Sequence, residues 1–337
     1  MTDLDPAEAL EAGDPAKAAS ALDARRDAAP EERKRTLRRL RAVADGNPEL
    51  LVPLVDDVAA FLTDERRPIR LAAVKLLAAV AAEGPASVLP VCPAVADRLA
   101  DDEELSFVRA RAAETVGAVA VEHPEEAATP AVLADLTIGL AFDEPEVRTE
   151  LARALERIAV GDPSRLAHRV ETVADHLDDD EELVRYHLLT AILAVACARP
   201  ERVDPVRSLV VDRLDDGSPY VRGRAAELLG VLGPEGSDVV EPSVLAPSAD
   251  AEADGYRFEA ARTGFARVRL VGCGVDSNDD APESSFGPDS LGTVDGVRST
   301  SEAVVEAIRR TDERPCPHCG GDLPDGAPVC PSCGSPL

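Results

Sequence analysis

The sequence predicts an all-α fold in which helical hairpins stack into an α-solenoid, followed by an acidic linker and a small cysteine-rich C-terminal segment. Three observations support this prediction. Two sequence landmarks share one period, apolar residues between them follow helical spacing, and four cysteines near the C-terminus form two Cys-x-x-Cys pairs.

The landmarks recur every 37–39 residues between positions 48 and 222. One is a β-branched residue followed by arginine, at Ile69-Arg70, Val108-Arg109, Val147-Arg148, Val184-Arg185 and Val221-Arg222. The other is a proline, at Pro48, Pro85, Pro124, Pro163 and Pro200. Two independent landmarks with one spacing indicate an array of a single supersecondary unit.

Each unit is predicted to be a helical hairpin. Proline opens the first helix, where its missing N–H has no partner to lose. The first helix carries apolar residues at helical spacing, as in Leu51, Leu54, Val55, Val58 and Leu62. An acidic turn follows, and the second helix starts near the arginine. Neither helix can bury its apolar face alone, so neighbouring hairpins must stack.

The N-terminal end departs from the repeat. Residues 1–13 are predicted to be a cap or disordered, and residues 14–29 to supply the first helix of an earlier, degenerate hairpin. There Glu32-Arg33 replaces the hydrophobic–arginine pair. An atypical end unit is expected because a terminal hairpin has one face in solvent.

The repeats at residues 14–234 resemble the HEAT-repeat family, including an acidic residue a few positions before each hydrophobic–arginine pair. The resemblance implies a right-handed superhelix of five to six hairpins, with Asp–Arg contacts between adjacent repeats as a ladder. The implied ladder arginines are Arg70, Arg109, Arg148, Arg185 and Arg222. The implied acids are Asp64, Asp102 or Glu103, Asp143, Asp179 and Asp216. A row of arginines could also bind an acidic ligand.

The period stops near residue 235. Residues 235–298 are rich in Asp, Ser, Gly and Pro and are predicted to form a partly disordered linker, with a short hairpin around Thr263-Gly264 as an option. Ser299 or Thr300 is predicted to cap an amphipathic helix over 299–312 with the apolar stripe Val304, Val305 and Ile308. That helix could dock on the end of the solenoid or on a partner.

The cysteine pairs in residues 313–337 are Cys316, Cys319, Cys330 and Cys333. Four thiolates suit a tetrahedral zinc site, and a segment this short needs a metal to supply its folding energy. Local disulfides and a redox pair are the alternatives. A redox Cys-x-x-Cys is usually single and near a βαβ unit, so zinc is favoured.

The same segment resembles the short zinc-ribbon domains that end many prokaryotic proteins, with Leu323, Pro324, Ala327 and Leu337 matching as well as the cysteines do. The resemblance implies one structural Zn²⁺ held by the four cysteines. Such ribbons contact proteins in some cases and nucleic acids in others. A closed four-ligand site argues against catalysis at the metal. His318, between two ligands, is predicted to be exposed.

The composition is strongly acidic, with a net charge of −28, 3% aromatic residues and no tryptophan. Only Lys17, Lys34 and Lys75 are lysines, so the basic residues are almost all arginine. This composition resembles that of proteins from extreme halophiles, whose acidic surfaces keep them soluble in high salt. No long apolar run or basic–apolar N-terminus occurs, so we expect a cytoplasmic monomer without a membrane segment.

No catalytic constellation is apparent. No histidine is followed by glutamate, as the iron sites of HEAT-like hydroxylases require, and His187 is predicted to be a core or edge residue. Cys92 and Cys197 are predicted to be small core residues. We therefore expect a non-enzymatic scaffold that binds another protein, with a HEAT-like enzyme such as a lyase as a weaker alternative.

A nucleic-acid-associated factor is the other alternative. It would use the ribbon and a basic N-terminal helix that carries Lys34, Arg35, Arg38, Arg39 and Arg41. These side chains could contact phosphates or an acidic protein. They could also be a solvated helix face paired with Glu31 and Glu32.

Overall fold

The computed structural model describes residues 5–232 and 293–312 of the 337-residue chain. Every regular element in these two ranges is helical. The chain divides into two compact units, Met1–Val203 and Asp204–Leu337. The predicted ribbon with its four cysteines, and the predicted linker up to residue 292, lie outside the described residues.

The first unit is a succession of short and long helices. The α-helices are α1 (Pro6–Glu11), α2 (Pro15–Asp23), α3 (Pro30–Gly46), α4 (Val55–Ala59), α5 (Arg67–Glu83), α6 (Pro85–Val88), α7 (Cys92–Ala100), α8 (Ser106–Ala120), α9 (Pro124–Ala127), α10 (Pro130–Gly139), α11 (Pro145–Gly161), α12 (Pro163–Leu166), α13 (Val170–Ala174) and α14 (Glu182–Ala198). Single 3₁₀ segments occur at Pro48–Leu54, Ala60–Thr63, Leu89–Val91 and Pro200–Arg202.

The long second helices of the hairpins, α3, α5, α8, α11 and α14, pack in sequence order, each against the next. They form one layer, and the shorter pieces form the other. After each second helix, the residue that precedes the next proline has an extended backbone, with φ between −127° and −157°. These residues are Asn47, Gly84, His123, Asp162 and Arg199. A following proline disfavours the α conformation, so the second helix ends there and the next hairpin begins.

The first segment of each hairpin is broken, which differs from the unbroken helix that the apolar spacing predicts. Prolines lie inside most of these segments, at Pro53, Pro90, Pro130 and Pro205. A proline in a helix lacks an N–H and clashes with the carbonyl four residues earlier, so short α and 3₁₀ pieces replace one helix. The apolar pattern still holds, since Leu51, Leu54 and Val58 are buried.

Small residues set the distance between α8 and α11. A Cβ atom on Gly161 would lie 2.2 Å from the carbonyl oxygen of Ala120, and one on Gly117 would lie 2.9 Å from the Cα of Ala154. Both positions therefore require glycine for the two helix backbones to approach this closely.

The N-terminal end is closed by α1, which packs against α2 and α3. Asp5 accepts a hydrogen bond from the Ala7 amide at 2.9 Å and so caps α1, which buries Ala7 and Leu10. Arg39 on α3 binds Asp5 at 2.6 Å and Glu8 at 2.9 Å. The apolar side of α1 covers the first hairpin, as an end cap must.

The second unit contains α15 (Arg207–Asp212), α16 (Pro219–Leu232) and α17 (Val294–Asp312), with 3₁₀ segments at Asp204–Val206 and Arg213–Asp215. Helix α17 begins earlier than the predicted cap at Ser299 or Thr300. The Thr293 hydroxyl accepts from the Gly296 amide at 3.2 Å, whereas the Ser299 hydroxyl donates to the Gly296 carbonyl inside the helix. The predicted stripe Val304, Val305 and Ile308 is buried.

Among the helices in the described ranges, none combines the length and the apolar character needed to cross a membrane.

Candidate partner-binding surface

The arginine near the start of each second helix closes the turn before it. Arg148 donates from Nη1 to the carbonyls of Phe142 at 3.0 Å and Asp143 at 3.1 Å. Its Nε and Nη2 atoms bind the two carboxylate oxygens of Asp179, in the next hairpin, at 2.8 Å and 3.1 Å. Asp179 also accepts the Glu181 amide at 2.8 Å. One side chain thus joins two consecutive turns through a forked ion pair.

Arg70 makes the corresponding contacts with a different acid. It donates to the Asp64 carbonyl at 2.7 Å. It also forms a forked ion pair with Glu104, in which Nη2 lies 2.7 Å from Oε1. The predicted acid of that turn was Asp102 or Glu103. Asp101 instead accepts the amide of Glu103, at 3.0 Å. Burial favours the neutral acid, but hydrogen bonds from Arg70 and the Leu105 amide outweigh it and lower the pKa of Glu104.

Arg109 is the exception in this row. Its Nε donates to the Leu99 carbonyl at 2.8 Å, and its guanidinium lies 4.6 Å from the centre of the Phe142 ring, a cation–π contact. The predicted acid, Asp143, offers its backbone carbonyl to Arg148. Its carboxylate has no hydrogen bond or ion pair with any described residue.

Arg185 and Arg222 close their own turns in the same way. Arg185 donates to the carbonyls of Asp179 at 2.7 Å and Asp180 at 3.0 Å. Arg222 donates to those of Asp216 at 2.7 Å and Gly217 at 3.1 Å.

Arg33, which the sequence places at the arginine position of the degenerate first hairpin but which was not among the predicted ladder arginines, also belongs to this row. It pairs with Asp64 at 2.9 Å, as Arg148 pairs with Asp179. The signal was present, since Arg33 precedes Arg70 by 37 residues, one repeat period. Its ladder role was not predicted because Glu32 stands where the other repeats have a β-branched residue.

The five predicted partner-binding residues on α3 are all exposed: Lys34, Arg35, Arg38, Arg39 and Arg41. Two of them are engaged. Arg39 binds α1, and Arg41 pairs with Asp45 at 2.8 Å and donates to the Lys75 carbonyl of α5 at 2.9 Å. Lys34, Arg35 and Arg38 form no hydrogen bond or ion pair with the described part of the chain, Glu31 and Glu32 included.

Equivalent positions on successive second helices form a strip whose charged members are exposed or half-buried, which we call the second-helix ridge. It comprises the residues one, two, five and nine positions after each of the turn-closing arginines of α3 to α11, which are Arg33, Arg70, Arg109 and Arg148. Its charged members are Lys34, Arg35, Arg38, Lys75, Arg111, Glu114, Glu150, Arg153 and Arg157. Arg111 pairs with Glu114 at 2.6 Å and lies 3.9 Å from Glu150 of α11, so neighbouring helices do present these positions to one another.

The ridge is exposed at α3 and, apart from the exposed Lys75, half-buried at α5. It is half-buried at α11 and at the charged positions of α8, where Ala110 and Ala118 are buried, and it is closed at α14. The corresponding residues of α14, Tyr186, His187 and Thr190, are at most 1% exposed. The accessible ridge in the first unit therefore extends from α3 to α11.

Arg157 is the least satisfied charge on the ridge. It is half-buried and has no hydrogen bond or ion pair with a described residue. The Cδ atom of Arg157 lies 3.5 Å from the position that a Cβ atom on Gly117 would occupy. Burial, reinforced by repulsion from Arg153, lowers the pKa of Arg157 and outweighs the attraction of Glu114, Glu150 and Glu156. An anion at this place would relieve both effects.

His187 and Cys92, which the sequence analysis singled out, are both buried away from the ridge surface. His187 Nδ1 pairs with Glu156 of α11, and His187 Nε2 is buried without a partner. Across residues 5–232 and 293–312, no three His, Cys, Asp or Glu side chains are arranged to hold a metal. Burial raises the pKa of Cys92 to about 11, so its thiol is unreactive at neutral pH.

No protein-family model and no curated protein matches the sequence. Solved structures do match. A designed armadillo repeat protein is 19% identical with a TM-score of 0.56, covering 64% of this chain and 100% of its own. A second designed armadillo repeat protein, in complex with the peptide (KR)4, is 18% identical with a TM-score of 0.57, covering 64% and 99%. An engineered protein is 20% identical with a TM-score of 0.55, covering 63% and 94%. These similarities show an armadillo-like, all-α repeat fold.

Proposed function

We propose that this chain is a non-catalytic scaffold that binds a segment of another protein along the second-helix ridge. The observation that carries the proposal is the ridge itself, a continuous strip of equivalent positions whose basic side chains largely lack partners. A surface that repeats with the helices can contact an extended segment at regular intervals. The designed armadillo repeat protein in complex with (KR)4 supports the idea that such a fold can hold a peptide.

A steric variant tests this proposal without assuming the charge of the ligand. Ala72 is a half-buried ridge residue of α5, and Ala86 is an exposed residue of α6 in the other layer. The protein partner recovered by affinity purification should survive nuclease treatment, be lost with Ala72→Trp and be retained with Ala86→Trp. Equal melting temperatures of the two variants show that both fold. Retention of the partner by Ala72→Trp would place binding elsewhere.

We also propose that the C-terminal ribbon is a second contact, folded around one Zn²⁺ by Cys316, Cys319, Cys330 and Cys333. Thiolate ligands need a reducing compartment, which favours the cytoplasm. Metal analysis should give one zinc per chain, and Cys319→Ser should lose it while the helical melt of the repeats is unchanged. Absence of zinc with intact free thiols would contradict the ribbon.

Nucleic acid is the second candidate partner, because Lys34, Arg35 and Arg38 are exposed without carboxylate partners among the described residues. Phosphate contacts would make binding fall steeply with salt, and replacing these three residues with glutamine would reduce that slope. Loss of the recovered partner after nuclease treatment would favour this candidate over a protein.

A further inference from the structure

We propose that the second-helix ridge recognises an acidic, extended segment of its protein partner, with carboxylates spaced to meet successive second helices. This inference rests on the proposed function and adds the chemistry of the ligand. A negatively charged chain would ordinarily suit a basic ligand, so the local charge of the ridge decides the matter.

The ridge reverses the charge of the molecule. The whole chain carries −28, yet the ridge holds seven basic residues and two acids. The acids, Glu114 and Glu150, lie beside Arg111 and Arg153. Two of the three lysines in the chain, Lys34 and Lys75, are on the ridge. A face selected only for solubility would share the acidic character of the rest of the surface.

Most of these cations are available. Lys34, Arg35, Arg38, Lys75 and Arg157 make no side-chain hydrogen bond or ion pair with the described residues. By contrast, the arginines that close the turns are engaged by carbonyls and carboxylates. A guanidinium accepts a carboxylate through two parallel hydrogen bonds, and the pair strengthens where water is partly excluded, as at Arg157.

The spacing of the helices sets the spacing of the ligand. Packed helices are about 8–10 Å apart, and a chain in the extended polyproline II conformation advances about 3.1 Å per residue with three residues per turn, so every third side chain lies on the same side. Carboxylates roughly three residues apart therefore match consecutive second helices. Small ridge residues such as Ala72 and Ala79 leave room for a peptide backbone between the charged contacts.

The turns beside the ridge favour a peptide over a nucleic acid. The turns before α8 and α11 carry the exposed acids Asp102, Glu103 and Glu146, whereas the turn before α5 places Glu65 beside the exposed Arg66 and Arg67. A nucleic acid has a charge on every phosphate and would meet this acidic border as well as the ridge. A peptide can place carboxylates only where basic residues lie. Stacking of bases also needs aromatic platforms, and Phe107 is the one large exposed aromatic in the described ranges.

The test uses the full chain and synthetic 12-residue peptides. One peptide has Glu at every third position with Ser and Gly between, a second has Lys at those positions, and a third has its Glu residues grouped at one end. A single-stranded oligonucleotide of equal charge is the fourth probe. We expect the spaced Glu peptide to bind most tightly.

Charge reversal on the ridge supplies the decisive comparison. Arg38→Glu with Lys75→Glu changes two exposed, unpaired ridge residues, so it should weaken the spaced Glu peptide about tenfold or more and favour the Lys peptide. Arg169→Glu with Arg202→Glu makes the same net change off the ridge and should have little effect. An equal loss in both double variants would mean non-specific attraction and overturn the inference.

The other outcomes separate the inference from the proposed function. If the Lys peptide binds and Ala72→Trp blocks it, the ridge is a peptide site but not for acidic segments. If the oligonucleotide binds most tightly and the ridge variant loses it, the ligand is a nucleic acid and both fail. If no peptide binds and Ala72→Trp keeps its cellular partner, both proposals fail.

Discussion

At the residue scale, the turns depend on the shape of the arginine side chain. The guanidinium of Arg148 donates to backbone carbonyls of its own turn and to a carboxylate of the next. Its planar fork can serve both groups at once, whereas a lysine presents a single compact charge. Each such arginine therefore links folding of one hairpin to the position of its neighbour.

Replacing Arg148 with alanine should destabilise the protein by roughly 2–4 kcal/mol. The change leaves the Asp179 carboxylate, 8% exposed, without its cation and leaves the Phe142 and Asp143 carbonyls without that donor. Arg148→Lys should recover part of the loss, since it restores charge but not the fork. Urea unfolding measures both.

Arg35→Ala is the matched control, because Arg35 is exposed and has no side-chain contact with a described residue. It should change stability by less than about 0.5 kcal/mol. Equal losses at positions 35 and 148 would show that the forked pair with Asp179 does not stabilise the stack.

Glu104 should make stability depend on pH. Its pKa is lowered in the folded protein from an ordinary 4.5, because hydrogen bonds from Arg70 and the Leu105 amide outweigh burial. The ionised form is thus stabilised by folding, so this stabilisation is full above the unfolded pKa and is lost as pH falls through the folded one.

Glu104→Gln should accordingly be less stable than the parent at pH 7, by about 1.5–3 kcal/mol. The gap should narrow as the pH falls below about 4.5, because only the parent has this charge to lose. Melting temperatures of both proteins between pH 7 and pH 3 test this. A constant gap would mean that Glu104 does not titrate with the predicted sign.

At the element scale, periodicity predicted the second helices well because each is bounded by features visible in the sequence. A proline ends one hairpin and an Asp-containing turn opens the next helix, as at Asp64 and Asp179. The breaks inside the first segments follow from prolines such as Pro53 and Pro90. The prediction of one unbroken helix followed the apolar pattern and gave these prolines too little weight.

Contacts within a turn and between distant elements were harder to predict. Asp101, Asp102, Glu103 and Glu104 are consecutive acids, and only the folded geometry decides that the last meets Arg70. The pairing of Arg39 with Asp5 and Glu8 depends on where α1 packs, which no local pattern encodes. The ridge became visible only once burial distinguished its positions from the core.

Gly161→Ala should separate α8 from α11. The new methyl group would lie 2.2 Å from the Ala120 carbonyl oxygen, which belongs to helix backbone and cannot move alone. We expect a destabilisation of about 1–3 kcal/mol, measured by urea unfolding.

Gly46→Ala provides the contrast. Gly46 ends α3, and a Cβ there would meet nothing within 4 Å. With no clash, alanine should be neutral or stabilising by up to about 1 kcal/mol, since it restricts the unfolded chain. A similar loss at both glycines would show that the close approach at Gly161 is not what requires glycine.

At the scale of the whole molecule, the charge of −28 opposes the compact state. Like charges repel over about 30 Å at 0.01 M salt but only about 3 Å at 1 M. The forked pairs in the turns act at hydrogen-bond distance and are partly buried, so salt screens them much less. Salt should therefore remove the repulsion and keep these pairs.

The expected result is a melting temperature that rises as NaCl increases from 0.01 M to 1 M, by about 2–4 °C for each kcal/mol of repulsion removed. A variant with Glu83→Gln, Glu122→Gln and Asp178→Asn tests the cause, because these acids are exposed and have no side-chain contact with the described residues. At low salt the variant should have a higher melting temperature than the parent, because it carries less repulsion. At high salt the two melting temperatures should converge, because salt screens the repulsion in both proteins. If the variant and the parent respond equally to salt, the rise comes from a general effect of salt on apolar burial, and the acidic surface is not what limits stability.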